Sequence, residues 1–322
     1  MLKQFSTLIK SMISVFVDND KVGVLGMKNR TKNNKFNSGV FYIIPALLVV
    51  ASVMLFPIGY NVSQSFFENT LFNNGWEFVG LQQYKDILVD PNFRNALLNT
   101  IKWTAFSVAC QFLLGSICAM VLSSDVLKRR GILRALIMLS WVLPSVIGSM
   151  MWKWMYHSDF GILNAVLVRI GIISEPLAWT GSSSLALASA IIVNVWKMFP
   201  LVLLYIEASL QSVPVELYQA AAVDGANSWE RFKAVTLPHV AGTCKTVILL
   251  LTIWTLNSFT FIYVLTGGGP GTSSQVLSLL IHQEAFVKFN FGRAATASTI
   301  LFVIVAIFSS FYIRSTMKGD EQ

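Results

Sequence analysis

Six long apolar runs, separated by short polar stretches, dominate the chain: approximately Val40 to Tyr60, Ile101 to Leu122, Ile132 to Tyr156, Leu185 to Leu210, Thr246 to Leu265 and Ala294 to Ile313. Each is close to the roughly twenty residues that a helix needs to cross a bilayer, so each predicts a membrane span. Hydrocarbon offers no water to the backbone, and a helix that satisfies its own N–H and C=O groups is the structure such a run takes. The pattern predicts an all-α, polytopic membrane protein with about six transmembrane helices. No internal repeat or low-complexity tract interrupts it.

Between the fourth and fifth runs lies a polar island, from Leu217 through Asp224-Gly225 and Asn227-Ser228 to Leu237-Pro238, that reads as helix–turn–helix. Pro214 suits a first helical turn, where its missing N–H has no partner to lose, and Glu216 complements the positive end of the helix dipole. A short helix should start near Val213. Asp224-Gly225 supplies a turn, because glycine reaches left-handed angles at no steric cost; Ser228 with Glu230 starts a second helix, which Pro238 stops. Ala220, Ala221 and Ala222 stand where surface helices usually carry long charged side chains. Another protein's backbone can approach such a helix closely, so it is built to dock.

With 54% hydrophobic and 12% charged residues and a mean hydropathy of +0.62, the chain is too apolar for an ordinary soluble domain. Its formal charge of +8 does not point to nucleic acid, since the Lys and Arg residues sit between apolar runs rather than on one face. With the N-terminus inside, the inner segments hold Lys3, Lys10, Lys21, Lys28, Arg30, Lys32, Lys35, Lys128, Arg129, Arg130, Arg134, Arg231, Lys233, Lys245, Arg314 and Lys318. The outer segments hold only Lys85, Arg94, Lys102, Lys153, Arg169, Lys288 and Arg293. The excess predicts that both termini and the polar island are cytoplasmic. The first residues form a basic arm, read either as a helix on the membrane surface through Phe5, Leu8, Ile9, Ile13 and Phe16 or as a disordered tail. Cys110, Cys118 and Cys244 lack CxxC spacing and read as small core residues, with no metal site.

No phosphate-binding GxxxxGK[ST] occurs, and Gly267 to Gly271 lacks the Lys and the strand-to-helix setting that such a loop needs. There is no HExxH and no nucleophile elbow; His157, His239 and His282 are scattered and read as interfacial residues. The chain is not expected to be an enzyme, and no cofactor is expected on it.

The island resembles the cytoplasmic coupling loop of permease subunits of binding-protein-dependent ABC importers. In that family a Glu-Ala-Ala triplet is followed by a Gly four residues on, then by an apolar residue shortly before Leu-Pro. The matching residues here are Gln219, Ala220 and Ala221, then Gly225, Val235 and Leu237-Pro238, with Gln219 standing where the family usually has Glu. Phe78 to Tyr84, Phe160 to Asn164 and Tyr263 to Pro270 are further similar to sugar-type permeases. Outside the resemblance, a basic cytoplasmic arm is expected over 1–38 and a cytoplasmic tail over 315–322; the resemblance implies a transmembrane permease domain over 39–314 with its coupling loop at 211–243. It also implies a second similar permease, two cytoplasmic ATPase subunits that hydrolyse ATP, and an extracytoplasmic solute-binding protein. Gln219, Ala220, Ala221, Asp224, Gly225, Leu237 and Pro238 then carry the coupling to the ATPase.

A solute path needs polar groups at bilayer depth, which are costly against lipid and so face a cavity or a partner. Lys197, in Asn194-Val195-Trp196-Lys197, is the formal charge lying farthest from the ends of a predicted span. It is open to three readings: a site for an anionic solute group, a partner for a carboxylate, or a snorkelling side chain. A Trp-Lys pair here is also similar to what neutral-sugar permeases carry, so the charge alone does not select an acidic substrate. Glu207 is a structural pair candidate. In the fifth span Trp254, Asn257, Ser258 and Phe261 are expected on one helical face, an indole beside neutral hydrogen-bonding groups that suits a polyhydroxylated solute. Hydrogen bonding between helices is the alternative for Asn257 and Ser258. The expected function is ATP-driven import of a sugar or oligosaccharide across the cytoplasmic membrane by alternating access. An importer of an anionic solute, such as glycerol phosphate esters or uronic-acid oligomers, is the rival within the class. An ion-coupled secondary transporter is the rival outside it, with Glu207 as the available buried carboxylate.

Overall fold

The computed structural model describes residues 36–71, 75–123 and 130–319, in two units that divide between Phe56 and Pro57. In the first unit, helix α1 (Phe36–Val50) runs through Pro45 into a wide π turn (Ala51–Leu55), where the Phe56 N–H donates to the Ala51 carbonyl. From Ile43 onward its large apolar side chains are exposed, as hydrocarbon surroundings allow. Met1 to Lys35 of the basic arm lie outside the described residues, and Phe36 to Ser38 already belong to α1.

The second unit opens with the rest of α2 (Phe56–Gln64) and a small hairpin, β1 (Phe67–Glu68) antiparallel to β2 (Glu77–Phe78), with Phe67 opposite Phe78. Apart from that hairpin the elements are helical: α3 (Gln82–Val89), α4 (Pro91–Ser123), α5 (Arg130–Val142), α6 (Ser145–Met155), α7 (Ile162–Arg169) and α8 (Ala186–Gln211). They continue as α9 (Val215–Val223), α10 (Ser228–Arg231), a second π turn (Phe232–Thr236), α11 (Leu237–Leu256), α12 (Thr260–Leu265), α13 (Leu277–Phe286) and α14 (Phe291–Gly319). Among the described residues five helices are long and apolar enough to cross a membrane, or six if the bent α5–α6 pair is one span.

Three predicted spans change shape. The second begins ten residues earlier than its apolar run, at Pro91, because Asp90 accepts from the Asn92 N–H (2.8 Å) and starts the helix. Apolarity marks where a helix meets lipid, not where it begins. The third is not continuous: α5 and α6 meet at 98°. Pro144 lacks the donor that would carry the ladder on and restricts Leu143 ahead of it, so the helix breaks there. The fifth stops at Leu256 rather than Leu265. Asn257 ends it by giving both its backbone N–H (3.3 Å) and its side-chain amide (2.8 Å) to the Ile253 carbonyl.

Helices α4 and α8 run parallel and pack most intimately. A Cβ placed on Gly115 would lie 2.5 Å from the Val202 Cβ and 2.7 Å from the Phe199 carbonyl oxygen, so only glycine lets the backbones approach this closely. In a bilayer the solvent is as apolar as the side chains, and close approach at small residues supplies the attraction between helices. Val108, Ala119, Val202, Leu203, Ile206, Val247 and Leu251 form the core of α4, α8 and α11. A second cluster joins Trp103 and Val193 to Ile262 and Leu279, with the Trp103 indole donating to the Thr255 carbonyl (3.0 Å). At the N-terminal end of α14, Arg293 pairs with Asp90 and lies 3.6 Å from Glu284, which also accepts from Lys288 (2.7 Å).

Candidate functional site

The polar island folds as an exposed helix–turn–helix elbow. Helix α9 starts at Val215, two residues later than expected, with Pro214 just before it in an extended conformation (ψ 131°) and Glu216 in its first turn. Its far end closes as a Schellman motif: Gly225 N–H donates to Ala222 O (3.1 Å) and Ala226 N–H to Ala221 O (2.9 Å). Gly225 takes φ +78°, as the turn chemistry of Asp224-Gly225 predicts. Asn227, not Ser228, caps the second helix. Its side chain accepts from Trp229 and Glu230 N–H (both 3.0 Å), and Glu230 returns a bond to the Asn227 N–H (2.7 Å), a reciprocal capping box.

Pro238 does not stop that helix. The π turn Phe232–Thr236 lets the Leu237 N–H reach back to Phe232 O, and the ladder is already widened where the proline would otherwise collide with a preceding carbonyl. Pro238 then sits in the first turn of α11. The Tyr218 hydroxyl and Thr236 Oγ1 (2.9 Å) tie α9 to the π turn. Gln219, Ala220, Asp224, Gly225, Leu237 and Pro238 are exposed and Ala221 is half-buried. Val223, at 88% exposure, heads an apolar rim with Val215, Leu217 and Trp229.

The residues expected along a solute path separate into two places. Asn194 and Lys197 are buried in α8. The Lys197 ammonium donates to the carbonyls of Ser140 (3.0 Å), Trp141 (2.6 Å) and Leu143, the groups that the break at Pro144 strips of helical partners. Trp196 lies edge-on to Trp152 (5.7 Å) and against Gly148, within an aromatic series continued by Tyr156 and Trp179. Gln111 donates to Asn194 O (3.3 Å), while Gln111 Oε1 and Asn194 Nδ2 are enclosed without a hydrogen bond.

Trp254 and Asn257 are exposed at the end of α11, and the Ser258 carbonyl accepts from Ser278 (2.9 Å). The helix end at Leu256 removes the expected common face: Ser258 lies beyond α11, and Phe261 is buried in α12. Glu207 pairs with Arg134 as a buried carboxylate beside a half-exposed guanidinium. Glu284 is likewise buried, so Glu207 is not the sole enclosed carboxylate.

Sequence reasoning missed Gly115, whose lack of a side chain gives no signal in a hydropathy pattern. It also missed the work of Asn164, which accepts from the Trp179 indole (2.9 Å) and Leu177 N–H (3.1 Å) while donating to Leu177 O (2.9 Å). An amide in the apolar stretch after Phe160-Gly161 was the available clue.

Residues 111–316 match the model of a family described as binding-protein-dependent transport system inner membrane component. The trehalose/maltose transport system permease protein MalF of Thermococcus litoralis is 33% identical over 291 residues, 89% of this chain and 96% of its own. A bacterial ABC transporter involved in import of the acidic polysaccharide alginate contains a chain with a TM-score of 0.74 at 18% identity, covering 88% of this chain and 96% of that one. In a complex of an alginate transporter with a pentasaccharide-bound periplasmic protein, the similar chain has a TM-score of 0.73 at 18% identity and covers 86% and 93%.

Proposed function

The chain belongs to the family of inner membrane components of binding-protein-dependent transport systems, and from that premise we propose that it is the permease subunit through which an ABC importer carries a sugar or oligosaccharide. It works with a second, similar permease, two cytoplasmic ATPase subunits and an extracytoplasmic solute-binding protein, with both its termini in the cytoplasm. The observation that carries this reading is the exposed elbow at Val215 to Pro238, whose docking face has small residues and whose turn is locked by backbone bonds. ATP closes the ATPase pair, α9 moves in a groove of the adjoining ATPase, and α8 and α11 switch the cavity from inward-open to outward-open.

ATP can favour one state only to the extent that it binds that state better, so the part relaying the preference must resist bending. The Schellman closure, the capping box and the Tyr218–Thr236 bond supply that stiffness. Gln219, Ala220, Ala221, Asp224 and Gly225 form the contact, and Leu237-Pro238 holds its base. A Cβ on Gly225 would meet nothing within 4 Å, so a substitution there acts through the backbone angle alone. Gly225→Val and Ala221→Glu are expected to leave the protein in the membrane and abolish solute-stimulated ATP hydrolysis by the assembled complex. Full transport with normal ATPase coupling in both variants would defeat the assignment.

The solute is taken to be neutral. The three donors of Lys197 are engaged by carbonyls, which leaves none for an anionic group. Trp254 and Asn257, exposed together at the end of α11, remain the candidates for ring and hydroxyl contacts, with Ser258, Trp196 and Asn194 nearer the helix junctions.

A further inference from the structure

We propose that the groove between the exposed faces of α4 and α8, near the ends of both helices remote from the coupling elbow, binds one anionic glycerophospholipid. The groove holds about 570 Å³, with Lys102, Ser183 and Ser184 at its mouth and Phe106, Cys110 and Ile192 along its wall. Among the described residues no carboxylate lines it.

Two features point to a phosphate bearing an acyl chain. The first is charge. Lys153 and Arg94 donate to the Val264 and Leu88 carbonyls, and Lys288 and Arg293 are held by carboxylates, whereas Lys102, like Lys85 and Arg169, is exposed with no such partner among the described residues, and of these three it is Lys102 that lines the groove. Lys102 shares the groove lining with Ser183 and with Ser184, whose hydroxyl also shares a hydrogen bond with Ser182 (2.9 Å), so an ammonium and hydroxyl groups are available to a phosphate that enters it.

The second is depth. Lys102 stands one residue inside the apolar run that begins at Ile101, the level at which headgroups meet hydrocarbon. Phe106 and Cys110 follow at four-residue steps on the same face, and eight residues of helix span ~12 Å. Half a hydrocarbon core is ~15 Å. A chain lying against Phe106, Cys110 and Ile192 therefore reaches through most of one leaflet when its phosphate rests at Lys102. Free phosphate would use only the mouth, and a protein helix would leave the Lys102 charge uncompensated unless it brought a carboxylate. The proposal does not depend on which solute is carried.

Native mass spectrometry of the assembled, detergent-purified complex after exposure to phosphatidylglycerol and phosphatidylcholine tests this. The expected result is one retained phosphatidylglycerol per copy of this chain. Lys102→Glu should lower the bound fraction roughly tenfold or more, Ile192→Trp should lower it by filling the wall, and Lys85→Glu should leave it unchanged. Lys102→Gln, with a smaller fall, replaces the charge reversal if that variant does not assemble. Excess inorganic phosphate should not displace the lipid. Equal retention by wild type and Lys102→Glu would overturn the proposal, as would displacement by inorganic phosphate alone. Loss of the second permease from Lys102→Glu with lipid still bound would assign the face to that subunit instead.

Discussion

Lys197 illustrates how one residue acquires its role from a break elsewhere in the chain. Its ammonium has three N–H donors, and three carbonyls freed at the α5–α6 junction accept them. Removing such a group leaves enclosed carbonyls unpaired, at about 1–3 kcal/mol for each one that water does not reach. Lys197→Met is expected to lower the melting temperature of the purified complex and the yield of folded protein, with uptake falling in proportion. Normal yield and stability with uptake lost would return Lys197 to the solute path. The sequence marked this lysine as a charge out of place, yet its acceptors lie on another helix and exist only because Pro144 interrupts the ladder. By contrast Gly225 was readable in advance, since a glycine following Asp at the end of a short helix fixes its own conformation locally.

Among the elements, α4 and α8 depend on an absence of side chain. Gly115→Val would force atoms against the Val202 side chain and the Phe199 carbonyl, and a backbone is the part least able to yield. Overpacking of this kind costs about 1–3 kcal/mol or more, so thermal unfolding of the variant complex should begin several degrees lower, with Gly115→Ala intermediate. Unchanged unfolding would mean that the helices separate at little cost. Asn227→Ala removes a cap worth about 1 kcal/mol and should weaken ATPase coupling without abolishing it. Helix ends were the least legible feature. Pro238 reads as a stop by composition, but the π turn ahead of it carries the helix through, and a second π turn, Ala51–Leu55, likewise ends two residues before Pro57. A wide turn leaves no mark in hydrophobic periodicity.

For the whole molecule, a set of five or six spans among the described residues, with the elbow between α8 and α11, was legible, because length and apolarity answer to bilayer thickness and not to tertiary detail. Orientation is a prediction at this scale. In a chain lacking Cys110, Cys118 and Cys244, Val223→Cys should react with a membrane-impermeant maleimide only from the cytoplasmic face, and Ser183→Cys only from the other. The reverse pattern would invert the topology and remove the elbow from any cytoplasmic motor. Uptake of labelled neutral saccharides, with acidic ones excluded, is the matching expectation for the solute; preferential uptake of acidic saccharides would reopen the role of Lys197.

The π turn at Phe232–Thr236 has a geometrical corollary. It admits one residue more than an α-helical turn, and each residue of an α-helix advances the azimuth by about 100°. The wide turn absorbs that residue: wound as ordinary α-helix, the same five residues would swing the elbow by roughly a quarter-turn around α11, whereas excising one would leave its azimuth nearly unchanged. On the proposed coupling, the width of that turn sets the clocking between lever and shaft, and a permease with every contact residue intact is expected to lose its drive if the turn tightens to an α-helical one.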